Sequence, residues 1–336
     1  MIKLAVIGGG VFSWSFLWQL SHCISHSKLG KNIEITLMDG STNFSPCSLN
    51  STALVARRAE GFGVSALGDL IQSSWQWWCH QHQLHQWIPT QGVSLSPLYY
   101  HQPAHLNRVP YLQQLSAVKA FHHMDTLKVE PAFLINPNLW LWYLQDQAKK
   151  NFATLGIMFK HQLESVSSIN SFNNEVVINK DLKHFDYLIL QPGAYKIQNF
   201  EIVEKEEVIY GSFLEFTNYL ENYKSSFSFS SHYQLYYHKH ESLLQLGIYS
   251  SKEVSASDEW SQLQHLYYQA KQDGWPLPPL ESASKKVGLR HKLKKRLPII
   301  GRKNNCFYHL GGYKIGYLVS LFQSRQLINL LLKELR

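Results

Sequence analysis

Between Glu281 and Glu334 the chain has no Asp or Glu. The basic residues Lys285, Lys286, Arg290, Lys292, Lys294, Lys295, Arg296, Arg302 and Lys303 all fall in that gap, and the whole chain carries a formal charge of +8. Clustered cations attract phosphates, but no RNA- or DNA-binding motif accompanies these. The favoured reading is a solvated basic loop that partly neutralises an anionic cofactor and substrate; nucleic-acid binding is the subordinate one. Cysteine is also sparse. Cys23, Cys47, Cys79 and Cys306 form no CxxC pair, and the 17 histidines form no HExxH, which argues against a disulfide framework and against zinc. Cys79, His80, His82 and His85 lie close together in a Gln- and Trp-rich stretch without a carboxylate, so they read as one helix and no metal is expected. No apolar run is long enough to cross a bilayer, and an apolar strand begins at Ile2, so no cleaved signal and a cytoplasmic location are expected. Internal repeats and low-complexity tracts are lacking.

Aromatic residues are abundant: 10 Trp, 18 Tyr and 17 Phe within a chain that is 45% hydrophobic, the composition of a folded globule. At 336 residues one large or two intermixed domains are expected. The most informative stretch is Leu4 to Ser13, LAVIGGGVFS, an apolar strand running into Gly8-x-Gly10-x-x-Ser13. Gly8 permits a tight turn, Gly10 lets backbone approach a pyrophosphate, and the N–H groups opening the next helix supply positive charge. Ser13 stands where the third glycine would allow close helix–strand packing. A second strand, Ile33 to Met38, ends in Asp39, an acid placed to bind ribose hydroxyls. The alternative is an ordinary βαβ unit with a Gly-rich turn.

Farther on, Ser45 to Thr52 is a hydroxyl-rich loop predicted to enter a helix at Ala53. Residues 66–87 and Leu139–Phe152 have helical spacing, and Gly92–Tyr100 reads as a strand. Strands are expected at Gly156–Lys160, Val166, Val176–Ile178 and Tyr187–Leu190, the last opening into the Pro192-Gly193 turn. Residues 205–283 supply strands at Glu207–Ile209, Phe213–Phe216, Gln234–Tyr237 and Leu243–Ile248 and a helix at Asp258–Gln272, a separate antiparallel layer. A final helix is predicted over Tyr317–Leu335.

Several segments in this order resemble the FAD-dependent D-amino-acid oxidase superfamily, most closely its glycine and sarcosine oxidase branch. Gly8-x-Gly10 and Asp39 match its dinucleotide turn and ribose acid; Ser48 to Ala53 matches its flavin loop, and Asn136-Pro137 its Asp-Pro. Gln191-Pro192-Gly193-Ala194 stands for Ala-Thr/Ser-Gly-Ala. Val287 to Arg302, VGLRHKLKKRLPIIGR, is similar to G-L-R-P-x-T-x-D-x-x-P-x-I-G-R, with His291 in place of proline and Lys295 in place of aspartate. Leu310 to Gly316, LGGYKIG, is similar to T-G-H-x-R/x-x-G.

The resemblance implies an α/β fold: a Rossmann-like FAD-binding domain (1–88, 136–204, 284–336) interleaved with an antiparallel-sheet substrate domain (89–135, 205–283). The cofactor contacts it implies are Gly8, Gly10, Val11, Phe12, Ser13, Asp39, Gly40, Ser48, Asn50, Ser51, Val166, Pro192, Gly193, Gly311, Gly312, Tyr313, Lys314, Ile315 and Gly316. Arg290 inherits the role of clamping a substrate carboxylate, which a fork of guanidinium donors fits bidentately. Lys314 falls where a second cation faces the substrate, and Tyr236 or Tyr237 near a pocket tyrosine. The implied activity is oxidation of a small amine or amino acid by hydride transfer to flavin, with oxygen as acceptor. Three alternatives stay open: a flavin oxidase acting on modified transfer RNA or another macromolecule, a non-catalytic FAD-binding accessory protein, and, more weakly, a nicotinamide-dependent dehydrogenase. Substrate identity and oligomeric state are not fixed by the sequence.

Overall fold

Apolar residues at successive positions of a strand point to opposite faces, so a strand apolar throughout must be covered on both sides. The N-terminal strand is of this kind and lies inside a parallel sheet. The computed structural model describes residues 1–25, 32–40, 46–57, 63, 65–101, 113–116, 126–170, 175–178, 181–194, 206–219, 226–229, 233–238, 241–251, 256–293 and 295–335. Its first strands are β1 (Ile2–Ile7), β2 (Ile33–Met38), β3 (Leu54–Val55), β4 (Val93–His101), β5 (Gln113–Ser116), β6 (Thr126–Ile135), β7 (Met158–Gln162), β8 (Val166–Asn170) and β9 (Glu175–Ile178). The others are β10 (Asp181–His184), β11 (Tyr187–Leu190), β12 (Glu206–Phe216), β13 (Ser226–Phe229), β14 (Gln234–His238), β15 (Leu243–Ser251), β16 (Ser284–Leu293), β17 (Ile299–Lys303) and β18 (Cys306–Leu310). The helices are α1 (Val11–Ser25), α2 (Pro46–Leu49), α3 (Ala66–His85), α4 (Pro137–Thr154), α5 (Ala256–Gln272) and α6 (Gly316–Glu334).

The first sheet has six strands in the order β17-β18-β11-β1-β2-β7, parallel except for the β17–β18 hairpin at its edge. Leu4 and Val6 face a core shared with α1, α3, α4 and α6, rich in buried tryptophans such as Trp14, Trp18, Trp78 and Trp140. Ala5 and Ile7 face a second core closed by the β8-β9-β10 meander. The helices start where the sequence caps them. Ser65 Oγ accepts from Gly68 N–H (3.0 Å), and the Asn136 side chain accepts from the N–H groups of Asn138 and Leu139 (3.1 and 3.2 Å) with Pro137 at the first helical position. Asn136-Pro137 is thus a helix start, a function that Asn fulfils as well as Asp.

The second sheet runs β16-β12-β15-β14-β13-β4-β6-β3, with β5 also on β6, and is antiparallel except between β13 and β4. α5 covers one of its faces over Leu214, Phe216, Leu235, Tyr237, Leu244 and Leu246; the other face looks toward the parallel sheet. The helix predicted to start at Ala53 is instead one turn, Pro46–Leu49, followed by β3. Ala53 takes a left-handed conformation (φ +36°) that breaks a helix, and its carbonyl accepts from Ile135 N–H (3.1 Å). Glu207–Ile209 and Phe213–Phe216 form one strand, β12, with a bulge between Ser212 and Phe213. β13 lies in a Ser-Phe alternation that gave no separate signal. Ser284–Leu293, grouped above with the cofactor domain, is hydrogen-bonded along its length to β12 in the second sheet. Ser45, Lys294 and Tyr195 lie outside the described residues.

Candidate functional site

The carboxyl ends of β1, β2 and β11 meet at the glycine turn. Gly8 has φ +112° and its N–H donates to Met38 O (2.8 Å). A Cβ on Gly8 would overlap the Gln191 carbonyl, and one on Gly9 would overlap the Asp39 carboxylate, so the turn tolerates no side chain at either position. Gly10 opens α1 by accepting from Trp14 N–H (3.1 Å), and Ser13 is fully buried at the packing position. No acidic residue occupies the first turn of α1, and Val11 N–H donates to Ser48 Oγ (2.9 Å). The helix therefore presents the positive end of its dipole next to a hydroxyl-bearing loop.

Asp39 is 3% exposed; its N–H donates to Gln162 O (2.9 Å) and its carboxylate lies 4.0 Å from His161 Nε2. Burial, helped by nearby Lys149, holds the pKa of His161 below its usual value. Gly40 passes against Ser165, next to Val166. Asp39, Gly40 and Val166 are thereby brought together beside the glycine turn.

A cleft opens between the start of α1 and the inner face of the second sheet. Val11, Phe12, Ser48, Ser51 and Gly193 line it, with Gly193 at φ +67°. Asn50 does not line the cleft but anchors the α2 loop to the second sheet, its Nδ2 donating to Val287 O (2.8 Å), while Ser51 Oγ accepts from Ala53 N–H (3.1 Å). Pro192 is half-buried just ahead of Gly193. The turn before α6 forms another wall: Gly311 has φ +84°, Gly312 packs against the Phe12 ring, and Ile315 N–H donates to Gly312 O (2.8 Å). Gly312, Tyr313, Lys314 and Gly316 line the cleft, whereas Ile315 is buried behind them. Tyr317 OH donates to Ser48 O (2.7 Å), joining the two loops.

On the facing sheet Arg290 lines the cleft, half-buried. Arg290 pairs with Ile209, and Gly211, two residues along β12, shares that face. Its guanidinium lies over the Gly211 backbone, where a Cβ would overlap it. Gly211, Phe213, Gln234 and Gly247 were not singled out by the sequence; Gly211 acquires its meaning only from pairing with β16, some 77 residues on. The register of β14 separates the two tyrosines. Tyr236 shares the inner face with Gln234, donates its OH to Gln234 Oε1, and packs with Leu54, Leu98 and Leu134. Tyr237 faces α5 among Tyr219, Leu244 and Leu263 and lies outside the cleft. Lys314 is exposed, its Nζ 5.6 Å from the Tyr313 ring centroid, and Tyr313 N–H donates to His291 O (3.0 Å).

Behind the cleft, Phe12 stacks on His309 (centroids 3.6 Å apart). Gln323 gives an amide N–H to Pro298 O (3.4 Å), so its oxygen is turned to His309 Nε2 (2.9 Å) and the imidazole carries its proton there. Nδ1 then accepts from Gln191 Nε2 (3.5 Å). Burial pushes His309 down to about 3, so the ring is neutral. Part of the basic run is neutralised locally: Lys285–Glu259 (2.8 Å), Lys286–Glu215 (3.4 Å), Lys292–Glu207 (2.6 Å) and Arg302–Glu334 are ion pairs.

A glycine cradle that a Cβ would fill, a helix N-terminus free of acids and the buried carboxylate of Asp39 beside them together fit a dinucleotide flavin. No helix among the described residues is long and apolar enough to cross a membrane.

The fold is shared with solved oxidases and dehydrogenases, which agrees with the fold the resemblance implied. The chain is similar to glycine oxidase from Geobacillus kaustophilus (TM-score 0.74, 15% identity, covering 97% of this chain and 93% of that one). It is also similar to iminodiacetate oxidase from Chelativorans sp. BNC1 (TM-score 0.75, 14% identity, 98% and 95% covered). A third likeness is to L-alpha-glycerophosphate oxidase from Mycoplasma pneumoniae, solved with FAD bound (TM-score 0.75, 13% identity, 98% and 95% covered). At these identities the likeness is one of fold. No family model and no curated protein matches the chain.

Proposed function

We propose that this protein is an FAD-dependent oxidoreductase that oxidises the C–N bond of a small amine or amino acid. The observation that carries the reading is Arg290, whose guanidinium lies over Gly211 on the wall of the cleft that also exposes the start of α1 and the Gly312 turn. FAD, when bound, supplies the two-electron acceptor for this chemistry. Gly8 to Ser13 would take the pyrophosphate, Asp39 the ribose hydroxyls, and Ser48, Ser51, Gly193 and the Gly312–Gly316 turn the flavin half. Arg290 holds the substrate carboxylate by two parallel N–H donors, which fixes the neighbouring carbon in position as well as neutralising charge. With a flavin bound, the chemistry available at that carbon would be loss of a hydride to give an imine, which water would hydrolyse to a carbonyl and ammonia or an amine, with oxygen as the final acceptor. Tyr236 supports the floor of the cleft through Gln234. The fold of the oxidases named above supports the same reading. The ion pairs along the basic run argue against a nucleic-acid substrate.

The test is the visible absorption spectrum of the purified protein, followed anaerobically while small amines and amino acids are added. The expected result is a flavin spectrum that bleaches with one class of compound, together with a rise in KM of orders of magnitude in Arg290→Ala. Flavin that no amine or amino acid reduces, or an unchanged KM in that variant, removes the assignment.

A further inference from the structure

Val11 and Phe12 at the start of α1 line the main cleft. Trp18, Gln19 and Cys23, roughly 9–18 Å farther along the helix axis, line a separate groove of about 370 Å³ between α1, α3 and α6, a volume in the range of small-molecule sites. α3 contributes Trp77 and Gln81 to it, and α6 contributes Arg325. Arg325 is half-buried, and its Nη1 donates to Cys23 Sγ, a weak acceptor. Burial raises the pKa of that thiol above its ordinary value, so it stays protonated and is no counter-ion. No Asp or Glu lies among the described residues that line the groove. Two amides face the same space. Gln19, 5% exposed, gives Nε2 to Leu321 O (2.5 Å), which leaves Oε1 as an acceptor. Gln81 is 8% exposed, and among the described residues no protein group hydrogen-bonds its amide. Buried amides are normally paired, and a partly desolvated cation is costly to hold without an anion; one ligand in the groove satisfies both.

We propose that this groove is a second ligand site, separate from the main cleft, and that it takes a small aromatic carboxylate bearing a ring N–H or O–H. The carboxylate lies on the Arg325 guanidinium, whose planar fork matches it. The ring lies against Trp18 and Trp77, where aromatic surface is already lined up. Its N–H or O–H donates to Gln19 Oε1, and the Gln81 amide meets whichever polar atom of the ligand lies toward α3. Neither the flavin nor the reaction in the main cleft takes part in this binding.

Isothermal titration calorimetry with indole-3-acetate tests this, performed on the Arg290→Ala protein so that the carboxylate clamp proposed for the main cleft is absent. The expected result is one-to-one binding with a Kd below about 1 mM, and binding of 3-methylindole, which lacks the carboxylate, at least about 10-fold weaker. Adding Arg325→Met weakens indole-3-acetate about 10-fold or more, Arg325→Lys keeps part of the affinity because it keeps the charge without the fork, and Gln81→Leu costs about 3- to 10-fold. Should Arg325→Met not fold, Arg325→Lys and Gln81→Leu read the same site from α6 and α3. Absence of binding to the Arg290→Ala protein overturns the inference, since the acid then needs the main cleft. Binding that the folded Arg325 and Gln81 variants leave within about 2-fold also overturns it, as does equal affinity for 3-methylindole. Each of these results leaves the function proposed above standing, and failure of amines to reduce a flavin leaves this groove untouched.

Discussion

Gly211→Ala is the perturbation that addresses the site most directly without touching a charged group. Gly211 lies mid-strand on β12, and the space its Cβ would occupy holds the guanidinium of Arg290. An added methyl obliges the guanidinium to lift until the carbons are about 3.5–4.0 Å apart, a displacement of about 1.5–2 Å. A misplacement of that size costs up to about 100-fold when geometry governs the reaction. The neighbour that gives way is the end of a flexible side chain, and alanine in a strand restricts the unfolded chain more than glycine does, so stability changes by less than about 1 kcal/mol. Gly211→Ala is therefore expected to raise the KM for a carboxylate substrate by about 10- to 100-fold, equivalent to about 1.4–2.7 kcal/mol, with an almost unchanged melting temperature. Initial-rate kinetics over a range of substrate concentration, with a thermal melt on the same preparation, supplies both numbers. A folded Gly211→Ala protein with wild-type KM would mean that the guanidinium is not where the substrate binds.

Two further predictions concern the frame of the site. Gly8→Ala, which needs φ near +112° and overlaps the Gln191 carbonyl, should weaken FAD binding at least about 10-fold, as read by quenching of free flavin fluorescence; retention of full affinity would remove the turn from the cofactor site. His309, depressed to about 3 by burial against an ordinary value near 6.5, stabilises the fold fully above about pH 6.5, a contribution lost as pH falls toward 3. Between pH 7.5 and 5.5 this loss is about 1.4 kcal/mol. Urea unfolding at the two pH values should show the difference shrinking by about that amount in His309→Asn, and an undiminished difference would place the lability elsewhere.

The parts of the fold carried by contiguous sequence were legible, and those that depend on distant pairing were not. β1, the glycine turn, α1, β2 and Asp39 could be read because an apolar strand, a turn without side chains and an acid follow one another within 39 residues. Arg290 stood in a dense motif. β3 was misread because the left-handed backbone of Ala53 answers to its contact with β6, which lies some 80 residues on. Which face of the sheet Tyr236 and Tyr237 each take was not legible either, since it follows from pairing with β15. Gly211 and the Phe12–His309 stack with its Gln191 hydrogen bond gave no local signal, since each is defined by partners distant in the chain.

The parallel sheet also sets an order on synthesis. β1 finds β2 at once, but its other edge waits for β11, whose own outer edge waits for β18: Leu4 pairs with Tyr187, and Leu188 with Cys306. At the pace of translation the β1 edge stays open for roughly 10–40 s, an unpaired apolar strand of the kind that seeds aggregation. The dinucleotide turn cannot close until Gln191 is beneath it, and the cleft lacks a wall until the Gly312 turn leaves the ribosome. A cofactor therefore finds its full site only after strands and turns spread over some 300 residues have come together, long after the glycine turn itself is made.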